Sequence, residues 1–365
     1  MQKILRRITV ILCLILIGIC FFCPTNSPAQ QNNWKTFRAE GIPKSEEAYN
    51  CITFRSDSIG YLGGMDLREP PEHDVPAVLY ETTDAGQSWK RLALPAKGIV
   101  RKIIAFGDTI VILDEAIHRH TTSILLSVDN GLHWKTLLEC DCSPPIVGLS
   151  FTSLDAGYVA LLKEGDINST YILKYNSASQ QWDTTTTIPA RCMEVDFSPS
   201  YITADIFEFN SLKQISIWIS PLRGPGKVIS IEPCYVKSIT HDNNGNAYLL
   251  TKDSSDRFNR VLKLDPSTGS ISPIVFDTSL ARFIQKIFVT ENRIVAVGSG
   301  KIDTVRDRYR FPTVTSHLLI SSDGGRHWTK DEFPEPTRSS PNSLFGDRFF
   351  IAYSSHGQFQ KREFR

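Results

Sequence analysis

Short apolar runs separated by polar turns fill most of the chain. I-T-F-R-S-D-S-I-G-Y-L-G-G begins at Ile52 and L-S-F-T-S-L-D-A-G-Y-V-A-L-L at Leu149. I-A-F-G-D-T-I-V-I-L, I-T-H-D-N-N-G-N-A-Y-L-L and I-F-V-T-E-N-R-I-V-A-V-G begin at Ile104, Ile239 and Ile287. Each joins two apolar stretches through a turn rich in Gly, Asp, Asn or Ser, the signature of a β-hairpin. A third run follows, such as V-L-Y-E-T or I-L-L-S-V. Then comes a D-x-G turn and a fourth run opened by Trp, such as W-K-R-L-A or W-K-T-L-L. Helical periodicity is confined to the N-terminal segment.

The Trp positions give the period. T-T-D-A-G-Q-S-W ends at Trp89, S-V-D-N-G-L-H-W at Trp134 and S-S-D-G-G-R-H-W at Trp328. The first two tryptophans are 45 residues apart, and 48 residues further on Y-N-S-A-S-Q-Q-W ends at Trp182 with Asp and Gly replaced. L-D-P-S-T-G-S-I around Asp265 is another worn turn. Four strands per roughly 45 residues is the pattern of a propeller blade. The units read as 49–95, 96–140, 141–187, 188–233, 234–277 and 278–334. Residues 335–365 supply only three further strands, and Q-N-N-W-K-T-F around Trp34 matches the missing fourth. The expectation is one all-β domain over 30–365. It is a seven-bladed β-propeller of four-stranded antiparallel blades, closed by the N-terminal strand joining the C-terminal blade.

The repeated turn is expected to be structural. Gly86, Gly131 and Gly325 stand where a tight turn needs positive φ. Asp84, Asp129 and Asp323 offer short acceptors for nearby backbone N–H groups. Trp89, Trp134 and Trp328 bury large faces. One carboxylate per turn is too few oxygens for calcium. These octapeptides resemble the Asp-box, or BNR, repeat. Their alternation with F-x-S-x-x-x-G-Y hairpins resembles the photosystem II stability/assembly factor-like propellers. That resemblance implies a non-catalytic scaffold that binds other proteins. Asp boxes also occur in sialidases, so a sialidase-like glycoside hydrolase or a glycan-binding propeller is the alternative. Phe37-Arg38-Ala39-Glu40 departs from the Arg-Ile-Pro motif of sialidases, and Arg310-Phe311-Pro312, though closer, precedes the last box instead of the first. No G-x-S-x-G, H-E-x-x-H or P-loop appears.

Composition adds compartment more than chemistry. Lys3, Arg6 and Arg7 precede an apolar run from Ile8 to Cys23, with Ser27-Pro28-Ala29 after it. This reads as a signal peptide over 1–29, giving an exported protein, periplasmic or secreted; uncleaved, the segment is the one membrane attachment. Charge is balanced, 40 basic against 39 acidic residues, which offers no footprint for nucleic acid. Cleavage leaves Cys51, Cys140, Cys142, Cys192 and Cys234, an odd set. Cys192 is placed to pair with Cys234 or with Cys142. Cys140-Asp141-Cys142 alone makes a weak metal pair, and no cofactor or metal is expected.

Strand counting puts the D-x-G turns on one face with the first hairpin turns. Loops between the second and third strands, and between blades, share the other face. That second face carries the insertion from Met65 to Pro76, His118-Arg119-His120, and the stretch with Arg306, Arg308, Tyr309 and Arg310. Arg101, Arg191 and Arg282 stand near the heads of inner strands, with Lys237 in a like position. They are expected to ring one channel mouth, attracting carboxylate or phosphate or else pairing with Asp and Glu. The partner expected there is a protein, with a glycan as the alternative.

Overall fold

The computed structural model describes residues 34–43, 47–68, 75–116, 119–141, 146–163, 166–206, 216–222, 224–231, 234–253, 259–275, 283–306, 312–334, 342–353 and 358–364. The segment 1–29, expected to be a signal peptide, lies outside them. Trp34–Arg365 forms one compact unit. It holds seven four-stranded antiparallel sheets, each in sequential strand order except the last. Within each blade the strands are called A to D from the inside outward. The A strands are Glu47–Phe54, Ile99–Phe106, Ile146–Phe151, Val195–Phe197, Cys234–His241, Phe283–Val289 and Asn342–Phe345 for blades 1 to 7.

Alternation along the strands explains why the blades stack. In blade 2, Ile110 and Ile112 pack toward blade 1 with Tyr61, Leu79 and Val100, while the intervening Val111 packs toward blade 3 with Leu149, Phe151 and Val159. Both faces of each sheet are therefore apolar in their middle strands, as a sheet packed on both sides requires. One apolar cluster fills each of the seven blade junctions, including that between blades 7 and 1, where Phe349, Ile351 and Phe359 meet Ile52, Phe54 and Trp89. The ring is closed.

Closure is by the N-terminus, as the sequence predicts. Trp34–Arg38 pairs antiparallel with Gln358–Glu363, in register Trp34↔Arg362 to Arg38↔Gln358. Trp34 packs edge-on against Phe333 and Phe350, and its indole N–H donates to Asp331 Oδ1 at 2.9 Å on blade 6. The outermost strand of blade 7 is thus supplied from the other end of the chain, so that Gln358–Glu363 is paired on both sides.

The D-x-G turns have the expected backbone. Gly86, Gly131 and Gly325 have φ of 94°, 85° and 91°, and each follows a residue that is also left-handed: Ala85, Asn130 and Gly324. The first residue of the motif has a role that the sequence reading missed. The hydroxyls of Thr82, Ser127 and Ser321 each donate to the motif carboxylate at 2.8 Å and accept the glycine N–H at 2.8–2.9 Å. Each Trp indole N–H returns to the glycine carbonyl, and those of Trp134 and Trp328 also reach carbonyls of the preceding blade, Ala93 and Val275. Trp182, in the worn copy, keeps only the second kind of contact, to Leu137.

Candidate functional site

A strands begin on the face opposite the D-x-G turns. The turns and the A–B hairpins share a face, since Ala85 N–H donates to Ser58 O and Asn130 N–H to Asp108 O. On the second face, five A strands carry a one-residue bulge near their heads: Asn50, Arg101, Val147, Lys237 and Gln285. A bulge breaks the ladder and re-aims a side chain. Repeated around the ring, it makes one tier at the channel mouth. Arg101 and Lys237 in that tier are exposed.

The other expected residues distribute as follows. Arg119 and His120 are exposed in the B–C connection of blade 2, His120 with φ of 53°. Arg191 is half-buried in the link before the A strand of blade 4. Arg306 ends the B strand of blade 6, opposite Pro312. His118, Arg282, Arg308, Tyr309 and Arg310 lie outside the described residues. Arg101 does not stand alone at the mouth: its guanidinium pairs with Glu115 on the adjacent strand of its own blade. Apolar groups missed in the sequence share this face. Tyr235 and Met193 are 49% and 41% exposed at the heads of the A strands of blades 5 and 4, and Leu67 is exposed in the B–C connection of blade 1. Their signal was present only as position relative to the strand heads, which needs the register to be seen.

A second tier lies one residue further along. The residues just after the bulges are Cys51, Lys102, Gly148, Ser238 and Lys286. Glu194 matches them, standing three residues before Phe197 as Cys51 stands before Phe54 and Lys286 before Val289. Side chains here reach the next blade. Lys102 Nζ donates to the Leu149 carbonyl at 2.8 Å, and Cys51 Sγ points to the Val100 carbonyl at 3.5 Å. Glu194 accepts the Ile239 backbone N–H. Lys286 lies with Nζ 4.7 Å from the centre of the Phe288 ring. Water reaches Lys286 although protein encloses it on nearly every side, as expected inside a narrow channel. That enclosure lowers its ammonium pKa, with the Cys51 thiol opposing and the Lys102 charge adding to the shift.

Carboxylates near this tier have distinct jobs. Burial pushes the Glu194 carboxyl up to about 7, with Lys102 lowering it and Asp196 and Asp205 raising it. Burial likewise raises Asp205 to about 6 against the backbone N–H groups of Glu194 and Met193, which donate to Asp205 Oδ1 at 2.7 and 2.8 Å. Asp196 Oδ2 lies 2.9 Å from His241 Nδ1, and His241 Nε2 lies 2.9 Å from Thr203 Oγ1. That chain has the order of a hydrolase triad, but Thr203 is fully buried. A nucleophile must meet substrate, so the chain is a latch between blades 4 and 5.

The cysteine expectation is corrected. Cys51 and Cys192 carry free thiols, so Cys192 pairs with neither Cys234 nor Cys142. Cys192 is buried, its N–H held by Thr170 Oγ1 at 3.0 Å, and burial raises its thiol to about 12. Cys142 lies outside the described residues. Among the described residues no group of three His, Cys, Asp or Glu side chains could hold a metal.

No protein-family model and no curated protein matches the chain. Solved structures do. The β-propeller domain of the Trilobed protease from Pyrococcus furiosus, described as having an open velcro topology, aligns with a TM-score of 0.59 at 11% identity, over 84% of this chain and 91% of that one. A putative 6-phosphogluconolactonase from Bacteroides uniformis aligns at 0.53 and 14% identity, over 81% and 89%. An acylaminoacyl peptidase aligns at 0.55 and 11% identity over 85% of this chain, which spans only 49% of the peptidase. At such identities the likeness is one of fold.

Proposed function

We propose that this chain is an exported, non-catalytic propeller that binds an acidic protein segment across the channel mouth. The observation that carries this reading is the mouth itself. Exposed Tyr235 and Lys237 lie near the head of the A strand of blade 5, and exposed Met193 and Arg101 near those of blades 4 and 2, on the same face. Aromatic and apolar anchors among cationic groups form the usual anatomy of a recognition surface. Loops and strand ends held by a closed ring also keep such a surface preorganised. The Asp-box resemblance supports the scaffold reading, since the D-x-G turns are saturated by their own hydrogen bonds and face away.

One observation favours a hydrolase instead: Glu194, with its carboxyl at about 7, has the protonation of a general acid at neutral pH. Glycoside hydrolysis needs a second carboxylate as base or nucleophile. Asp205 is taken by two backbone N–H groups and Asp196 by His241, which weighs against this reading. A panel of fluorogenic glycosides and an array of acidic, neutral and basic peptides separate the two. Retention of acidic peptides without turnover is the expected outcome. Turnover abolished by Glu194→Gln would replace the binding reading with the enzymatic one.

A further inference from the structure

The Trp that opens a D strand seals the junction with the blade before it. Trp134, Trp182 and Trp328 each donate an indole N–H to a carbonyl of the preceding blade, Ala93 at 2.9 Å, Leu137 at 3.0 Å and Val275 at 3.2 Å. The turn of blade 4, S-P-L-R-G-P-G-K from Ser220, contains no Trp. Its strands C and D set Ile219 opposite Lys227, as those of blade 6 set Ile320 opposite Thr329. Gly226 therefore takes the position of Trp328. No side chain fits there, since an added Cβ would lie 2.2 Å from Trp218 Cε2. Trp218, from the C strand, takes part of the room. What remains is a cleft of about 340 Å³ between blades 3 and 4. Tyr158, Lys174, Thr185 and Thr186 line one side, and Leu222 and Gly224 the other.

The blade 3 wall matches walls that hold an indole elsewhere. Tyr158 and Lys174 are cross-strand partners, as Tyr248 and Lys263 are in blade 5, and Tyr248 belongs to the cluster against which Trp328 packs. Thr185 is the bulged residue of its D strand, as Leu137 is in blade 2. The Leu137 carbonyl is the one that receives the Trp182 indole, so the Thr185 carbonyl stands at the place of an indole acceptor. The Thr185 hydroxyl, bonded to the Ile172 carbonyl at 3.1 Å, pins the bulge. Lys174 faces Asp183 across strands C and D, so shape and the carbonyl select the ligand here, not charge.

We propose that this cleft binds a planar aromatic ring bearing an N–H donor, of the indole type, supplied from outside the chain. The ring lies between Tyr158 and Leu222 and donates to the Thr185 carbonyl, as an indole, which has a donor and no acceptor, does at the other junctions. Its volume is that of a small-ligand site. The ring is either a free small molecule or the tryptophan side chain of another protein. The cleft lies on the face of the D-x-G turns, away from the channel mouth, and is independent of recognition there.

The test is a ligand-detected NMR titration of the full propeller with indole and with benzofuran, which has the same shape but no N–H. Indole should bind saturably, and benzofuran about tenfold more weakly, since the carbonyl then faces an acceptor. Thr186→Phe, which fills the cleft from the D strand, should abolish indole binding. Thr187→Phe, on the opposite side of that strand, and Tyr235→Ala, at the mouth, should leave it unchanged. An extended peptide with a central Trp separates the two sources: binding at least as tight as that of free indole assigns the ring to a protein chain, weaker binding to a small molecule. No saturable indole binding, benzofuran bound as tightly as indole, or indole binding that survives Thr186→Phe would overturn the proposal. Should Thr186→Phe fail to fold, Leu222→Phe fills the cleft from the other wall, with the same loss expected.

Discussion

His241 Nδ1 lies 2.9 Å from Asp196 Oδ2, joining the A strands of blades 5 and 4. The histidine side chain is 4% exposed and uses its other nitrogen on Thr203. Removing it leaves two polar partners without their bond inside a junction otherwise filled by Ile217, Val236 and Leu249. His241→Ala should cost about 2–3 kcal/mol in urea unfolding, from unsatisfied buried groups and lost packing. Thr203→Val, which keeps the shape, should cost about 1 kcal/mol and leave ligand binding unchanged. Loss of a catalytic activity in Thr203→Val would contradict the latch.

Trp34 decides whether the ring stays shut. It is 8% exposed and contacts Phe333, Phe350 and Asp331. Trp34→Ala should cost about 3–5 kcal/mol, in the range for a large buried aromatic. Proteolysis should then begin at the strand Gln358–Glu363, which loses its partner. Unchanged stability would mean that the closing strand is dispensable.

The blade count, the closing strand and the turn glycines were all legible in the sequence, because each rests on a local rule: alternation, a repeat period, or φ. The tiers were not. Lys102 and Lys286 look unrelated along the chain, since a bulge of one residue sets their common level and only pairing reveals it. Tyr235 was missed for the same reason, whereas Arg101 takes the ion-pairing alternative, with Glu115.

Gly325 tests the turn chemistry. Its φ of 91° is strained for any side chain, and an added Cβ would lie 2.6 Å from Ile274 Cγ2. Gly325→Ala should therefore cost about 1–3 kcal/mol, read as a lower melting temperature. A neutral result would show that the turn can relax without its left-handed residue.

Two carboxyls give opposite pH responses. Asp129 is held at about 2 by the His133 backbone N–H, the His133 ring and the Ser127 hydroxyl. Its folded pKa lies below the unfolded value of about 3.9. Its stabilisation is present above that value and is lost as pH falls toward 2. Glu194, at about 7, lies above its unfolded value of about 4.3. Between those limits the folded state holds the extra proton, so this contribution is full below about 4.3 and declines as pH rises to 7. Asp205, raised to about 6, adds a decline of the same sign at lower pH, so Glu194→Gln should shrink the decline chiefly between pH 6 and 7 while leaving the acid limb intact. An unchanged slope between pH 6 and 7 would show that Glu194 titrates normally.

The most direct measurement is fluorescence anisotropy of a labelled acidic decapeptide titrated with the wild-type propeller, Tyr235→Ala and Lys237→Glu, at low and physiological salt. The account predicts saturable binding that weakens with salt, at least tenfold loss in each variant, and melting temperatures within about 2 °C of wild type, since both side chains are exposed. Wild-type affinity in both variants would contradict recognition at this mouth.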